Sequence, residues 1–238
     1  MPHVVENEPG EPASAAAKAR LRASFSIDPA KRLILYAFDG SSYLARKNPH
    51  ALIRAFRAAG LAKSGWQLVL KTKHVFDLPG EGKRLLELVG KGGDVVVIDQ
   101  PLSARELAIL FETCDVYASS HSSEGFGLTI AEAMEMGKVV VATDFGGSRD
   151  FLDATCGFPV RADIVALEDS YGPYLKGSAW GRVDEDDLAR ALNAAAAAVT
   201  SGEAQRIGAA AKARIRERLS AAAVAAAMEA SLARLLAE

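Results

Sequence analysis

Short apolar runs rich in β-branched residues, each followed by a helix-patterned stretch, constrain this chain more than any other feature. Residues 32–38 (RLILYAF), 67–71 (QLVLK), 94–98 (DVVVI), 116–119 (VYAS) and 139–142 (VVVA) read as strands, and 157–160 (GFPV) as a sixth. Runs that are apolar at nearly every position, without alternation, fit strands buried on both faces. Between them lie helix signals. Asn48-Pro49 opens a pattern of Leu52, Ile53, Phe56 and Ala59 at helical spacing, with proline where its missing N–H costs nothing. A helix follows around 83–89. Ser103 to Glu106 is a capping box for a helix reaching about Glu112. Residues 128–136 are helical. Strand–helix alternation of this kind predicts a Rossmann-like α/β fold, a parallel sheet with helices on both faces.

Residues 1–30 read as a polar arm with Pro2, Pro9 and Pro12, ending in a leading helix. Residues 31–200 form the ligand-binding domain, in which 161–183 is irregular and carries Tyr171, Tyr174 and Trp180. Residues 201–238 form an alanine-rich helical extension, with breaks near Gly202 and Ser220. The net charge of −2, with acids and bases interspersed, speaks against a nucleic-acid partner. The purely apolar stretches, such as Ala221–Met228, are short and alanine-rich, so no transmembrane segment is expected. The N-terminus has no apolar signal core, and Cys114 and Cys156 form no metal spacing, which fits a reducing, cytoplasmic setting.

The chemistry concentrates between Ser119 and Asp150. A strand ends, a polar loop follows, and Gly125-Phe126-Gly127 feeds a helix from Leu128. Free backbone N–H groups, the helix dipole and the absence of side chains make such a turn a phosphate site, with Thr129 as a further hydroxyl donor. Glu124 precedes the loop, and Glu132 lies about one turn into the helix, roughly 6 Å past Leu128. Read singly, Glu124 is a solvated loop acid and Glu132 an ordinary first-turn acid. Read together with the glycines and Gly146-Gly147, they frame a ligand. No G-x-G-x-x-G follows the first strand, which argues against a nicotinamide site. Asp184-Glu185-Asp186 reads as a charged helix start, and no metal is expected.

The segment EGFGLTIAE (124–132), followed by AMEMGKVVVATDFGGSRDFL, resembles the donor-site signature of retaining GT-B glycosyltransferases of family 4. FDGSSYLARKNPHALIRAF (38–56) and LVLKT (68–72) resemble the first two strands of that family's C-terminal domain. The resemblance covers roughly 30–220 and implies the C-terminal half of a GT-B fold. It implies that Glu132 binds the ribose of a nucleotide-diphosphate sugar and Glu124 its sugar hydroxyls. The amides of Gly127, Leu128 and Thr129 would cradle the distal phosphate, with Gly125 and Phe126 in the same loop. Lys71 and one of Arg46 and Lys47 would neutralise the leaving diphosphate. Where many members carry Gly-Arg after the first strand, this chain has Phe38-Asp39-Gly40, so either base remains open. His121 either lines the sugar pocket or hydrogen-bonds the loop; Gly146 and Gly147 border the donor. The implied partners are a nucleotide-sugar donor, a glycan or lipid-linked acceptor, and an N-terminal GT-B domain that this sequence does not contain, through which the enzyme could lie at the inner membrane.

Overall fold

A computed structural model of the chain describes residues 3–6, 11–78 and 80–237; Pro2 and Pro9 of the arm lie outside the described residues. The strands are β1 (Arg32–Ala37), β2 (Trp66–Thr72), β3 (Val95–Asp99), β4 (Val116–Ser119), β5 (Val139–Thr143) and β6 (Phe158–Val160). They form one parallel sheet in the order β3-β2-β1-β4-β5-β6. Every residue of β2, β4 and β5 is buried, and all of β1 but Arg32, as double-sided coverage requires.

The helices are α1 (Ala15–Ser24), α2 (Leu44–Lys47), α3 (Pro49–Ala58), α4 (Glu81–Val89), α5 (Ala104–Thr113), α6 (Leu128–Glu135), α7 (Glu185–Ser201), α8 (Ala204–Leu219) and α9 (Ala221–Ala237). The direction of travel across the sheet reverses between β1 and β4. Right-handed crossovers therefore put α3 and α4 on one face and α5 and α6 on the other. α7 packs on α3, while α8 packs on α6 and β5. The point of reversal opens a crevice at the carboxyl ends of β1 and β4, where parallel sheets take ligands.

Caps follow the sequence closely. Ser103 and Glu106 make both bonds of the capping box, and Asp184 caps α7 by accepting from the Asp187 amide. Asp184 also pairs with Arg161, so the acids at this helix start are used structurally. Residues 161–183 differ from the irregular segment expected. They contain an antiparallel hairpin, β7 (Ala162–Ala166) with β8 (Ala179–Val183), joined by a long loop. Trp180, stacked on Tyr171 with ring centroids 5.7 Å apart, buries the hairpin's inner face. The arm is anchored as well. Val5 is buried and donates its N–H to the Leu219 carbonyl, and the Glu6 carboxylate caps α9 at Ala221.

The helical stretch Ala204–Leu236 is long and apolar enough, by length and composition alone, to cross a membrane, which modifies the expectation drawn from Ala221–Met228. It is interrupted at Ser220, whose ψ of 157° leaves helical geometry, and its first half buries Ile207, Ala211 and Ile215.

Candidate functional site

The loop from Ser120 to Gly127 leaves β4 at the crevice. Gly127 caps α6 with φ +92°, a left-handed conformation that disfavours side chains, and no side chain caps the helix. The amides of Leu128 and Thr129 consequently have no intrahelical acceptor, while those of Ile130 and Ala131 bond to the Gly127 carbonyl. Gly146 and Gly147 lie behind this loop. The Gly147 amide donates to the Glu124 carbonyl at 2.9 Å. A Cβ on Gly147 would stand 2.2 Å from the Gly125 carbonyl oxygen, and one on Gly146 2.3 Å from that of Glu124. The pair therefore shapes the loop by close backbone approach, and neither lines a cavity at the site.

A cavity of about 430 Å³ opens over the crevice, lined by Asp39, Lys47, Lys71, Lys73, Glu124, Leu128 and Thr129 with apolar Leu102 and Leu107. Lys47 Nζ lies 2.5 Å from Glu124 Oε2, and Arg46 Nη1 3.7 Å from the same oxygen. The α2 backbone is held by Tyr36, which donates to the Lys47 carbonyl, and by Ser120, which donates to that of Asn48. Arg46 is turned elsewhere. It donates to the carbonyls of Ser42 and Ser123, and its guanidinium sits 5.9 Å from the Tyr174 ring centre. Of the two bases, then, Lys47 faces the cavity. Lys71 is buried and donates to the Thr72 carbonyl at 2.7 Å.

Burial pushes the Lys71 and Lys47 ammonium groups below the usual lysine range, for Lys47 against the pull of Glu124. Burial would raise the Glu124 carboxyl, but Lys47 and Arg46 outweigh it and hold it below its ordinary value. Glu132 is the contrasting case. It is half-buried on α6, makes no hydrogen bond or ion pair among the described residues, and burial alone raises its pKa. Nearby, the Tyr117 hydroxyl lies 2.7 Å from Thr129 Oγ1 and 3.2 Å from the Ala37 carbonyl, fixing the threonine at the cavity wall.

The family model described as "Glycosyl transferases group 1" matches residues 34–172. The chain belongs to the group 1 glycosyltransferases. Trehalose synthase of Pyrococcus horikoshii is 31% identical over 156 residues, 63% of this chain and 37% of that protein. Among solved structures, HepE of Anabaena in complex with UDP-glucose matches with a TM-score of 0.66 at 20% identity, over 93% of this chain and 54% of that one. The C-terminal domain of a group 1 family protein from Francisella tularensis matches with a TM-score of 0.61 at 15% identity, over 88% of this chain and 95% of that domain. These likenesses are of fold. The chain spans less than half the length of the curated relatives it matches.

In this group 1 glycosyltransferase domain the residues singled out by sequence are placed differently, and Glu132, Arg46, Gly146 and Gly147 line neither of the two cavities at the site. Glu124, Lys47, Lys71, Leu128 and Thr129 converge on one cavity. Gly125, Phe126 and Gly127 line a second cavity, of about 880 Å³, which shares Glu124 and Leu128 with the first and is also lined by His3, Asp150 and Arg218. His121 is fully buried, with Nε2 2.9 Å from the Phe145 carbonyl and Nδ1 2.9 Å from Ser119 Oγ. A carbonyl only accepts, so Nε2 carries the proton and Nδ1 accepts from Ser119. His121 thus hydrogen-bonds the loop and lines neither cavity. Sequence reading missed Lys73 and Asp39; their placement depends on contacts between two strand ends. Among the described residues no three His, Cys, Asp or Glu side chains gather as a metal-ligand set.

Proposed function

We propose that this chain is the donor-binding half of a retaining, family 4 glycosyltransferase, moving a sugar from a nucleotide-diphosphate sugar to a glycan or lipid-linked acceptor. One observation supports the reading: two carboxylates of opposite character flank, along the chain, the glycine turn and the free amides that open α6. Glu132, unpartnered and half-buried, is suited to accept ribose hydroxyls. Glu124, held ionised by Lys47, is suited to accept sugar hydroxyls. The amides at the start of α6 meet the diphosphate together with Lys47 and Lys71, which line one cavity with Leu128 and Thr129. Departure of that diphosphate develops negative charge, and preorganised N–H groups and ammonium groups stabilise it without a metal ion. The UDP-glucose bound by HepE, which shares this fold, agrees with such a donor.

In this reading the acceptor is held largely by a second, N-terminal Rossmann-like domain, and the enzyme works in the cytoplasm or at the inner membrane face. The test is calorimetry with UDP, GDP and ADP. Glu132→Ala is expected to lower affinity for the preferred nucleotide at least tenfold, the order expected for losing hydrogen bonds to a charged group, without lowering the unfolding midpoint, since the carboxylate it removes is unpartnered and partly desolvated. Unaltered affinity would sink the assignment.

A further inference from the structure

The loop after β1 and the loop after β2 are locked together beside the cavity. The Gly40 amide donates to the Lys73 carbonyl at 2.9 Å. A Cβ at Gly40 would meet that carbonyl at 2.9 Å and the Val75 side chain at 2.8 Å, so this approach needs glycine. From the other side, the Asp99 carboxylate accepts from the amides of Val75 and Phe76. These contacts set Lys73 at the cavity wall, where its ammonium lies 3.0 Å from Asp39 Oδ2. Asp39 is itself oriented by the amide and hydroxyl of Ser41 at 2.9 and 2.7 Å.

The cavity thus holds Lys47, Lys71 and Lys73 against Glu124 and Asp39, and in this state each ammonium already has a protein acceptor. Lys47 is on Glu124, Lys73 on Asp39 and Lys71 on a carbonyl. Lys47 and Lys71 sit deep, whereas the Lys73 side chain is 47% exposed and is the easiest of the three to redirect. An anion entering the cradle competes with Asp39 for this charge.

We infer that Lys73 is a third diphosphate-binding cation, stored on Asp39 when the site is empty and transferred to the donor's diphosphate when it fills. The inference rests on the donor-site reading above and adds a residue pair to it. Asp39 then serves as a built-in competitor that keeps the lysine aimed and weakens binding of stray anions.

Calorimetry with inorganic pyrophosphate and with UDP, GDP and ADP tests this on the purified chain. Lys73→Met should weaken pyrophosphate about tenfold, and Lys73→Arg should restore it to within about twofold. Asp39→Asn should strengthen pyrophosphate several-fold, and the double variant should behave as Lys73→Met alone. The effects should shrink as salt rises, because the pair is partly exposed. Unchanged binding in a folded Lys73→Met, or weakened binding in Asp39→Asn, overturns the exchange while leaving the donor site standing. Glu132→Ala should spare pyrophosphate, which has no ribose. Failure of the unmodified chain to bind any of the four probes would overturn both proposals.

Discussion

Lys47 and Glu124 form a contact that bears on stability and, in the proposed function, on donor binding. Their side chains are only 13% and 20% exposed, and they sit 2.5 Å apart at the meeting point of the two cavities. Truncating one partner of such a pair leaves the other charge poorly solvated. Lys47→Met strands Glu124 with Arg46 at 3.7 Å. The expected result is a loss of about 1–3 kcal/mol in denaturant unfolding together with weaker nucleotide binding. A variant that loses binding but keeps its full stability would show that the pair has no structural share. The residue types at this site were readable from EGFGLTIAE and RKNP. Which base faces the cavity was not, because that depends on how Ser42, Ser123 and Tyr174 draw Arg46 aside.

At the scale of elements, α6 opens on amides without an intrahelical acceptor and is braced by α8. The brace is tight. Gly208 on α8 faces Gly137 after α6, and a Cβ on Gly208 would lie 2.0 Å from the Gly137 carbonyl oxygen. Beside it Glu135 is buried, with Lys212 and Arg216 at 3.7 and 3.5 Å from Oε1 and no partner for Oε2. Gly208→Ala is therefore expected to push α8 off α6 and cost about 1–3 kcal/mol, as overpacking does. Thermal unfolding checks this; a neutral effect would mean that α8 is loosely docked. The alanine-rich composition of 204–219 made a helix legible. Its glycine contact did not show, since Gly208 alone in a helix reads only as a weak point.

For the whole molecule, pH should act through several groups at once. Burial lowers the pKa of His121 and of His50 below the ordinary 6.5. In the window just below that value the unfolded chain binds protons that the folded chain refuses, so stability falls as pH drops. A second loss follows below about 4.5, where Glu124, held low in the folded state by Lys47 and Arg46 against burial, protonates first in the unfolded chain. Glu132 opposes this, since its raised pKa makes the folded state take up a proton first. The net expectation is a urea midpoint that declines from about pH 7 to about pH 5.5 and steepens below pH 4.5. A flat midpoint across the first window would contradict the lowered pKa values of buried His121 and half-buried His50.

Sequence alone determined the six strands of the parallel sheet, the main helices with the capping box at Ser103 and the acidic helix start at Asp184, and the loop that joins a phosphate-type turn to two carboxylates. These are local properties: apolar periodicity, capping chemistry and a turn that needs glycine act over a few residues. The β7–β8 hairpin escaped because its two runs are short, half-exposed and separated by a long loop, so the ladder that pairs them joins residues far apart in the chain. Tertiary structure decided what converges. Strand order set Lys71 and Lys73 beside Asp39, the hydrogen bonds of α2 turned Lys47 inward and left Arg46 outside, and the Phe145 carbonyl closed His121 away from the cavity. Such choices rest on contacts between residues far apart in the chain, and no local pattern encodes them.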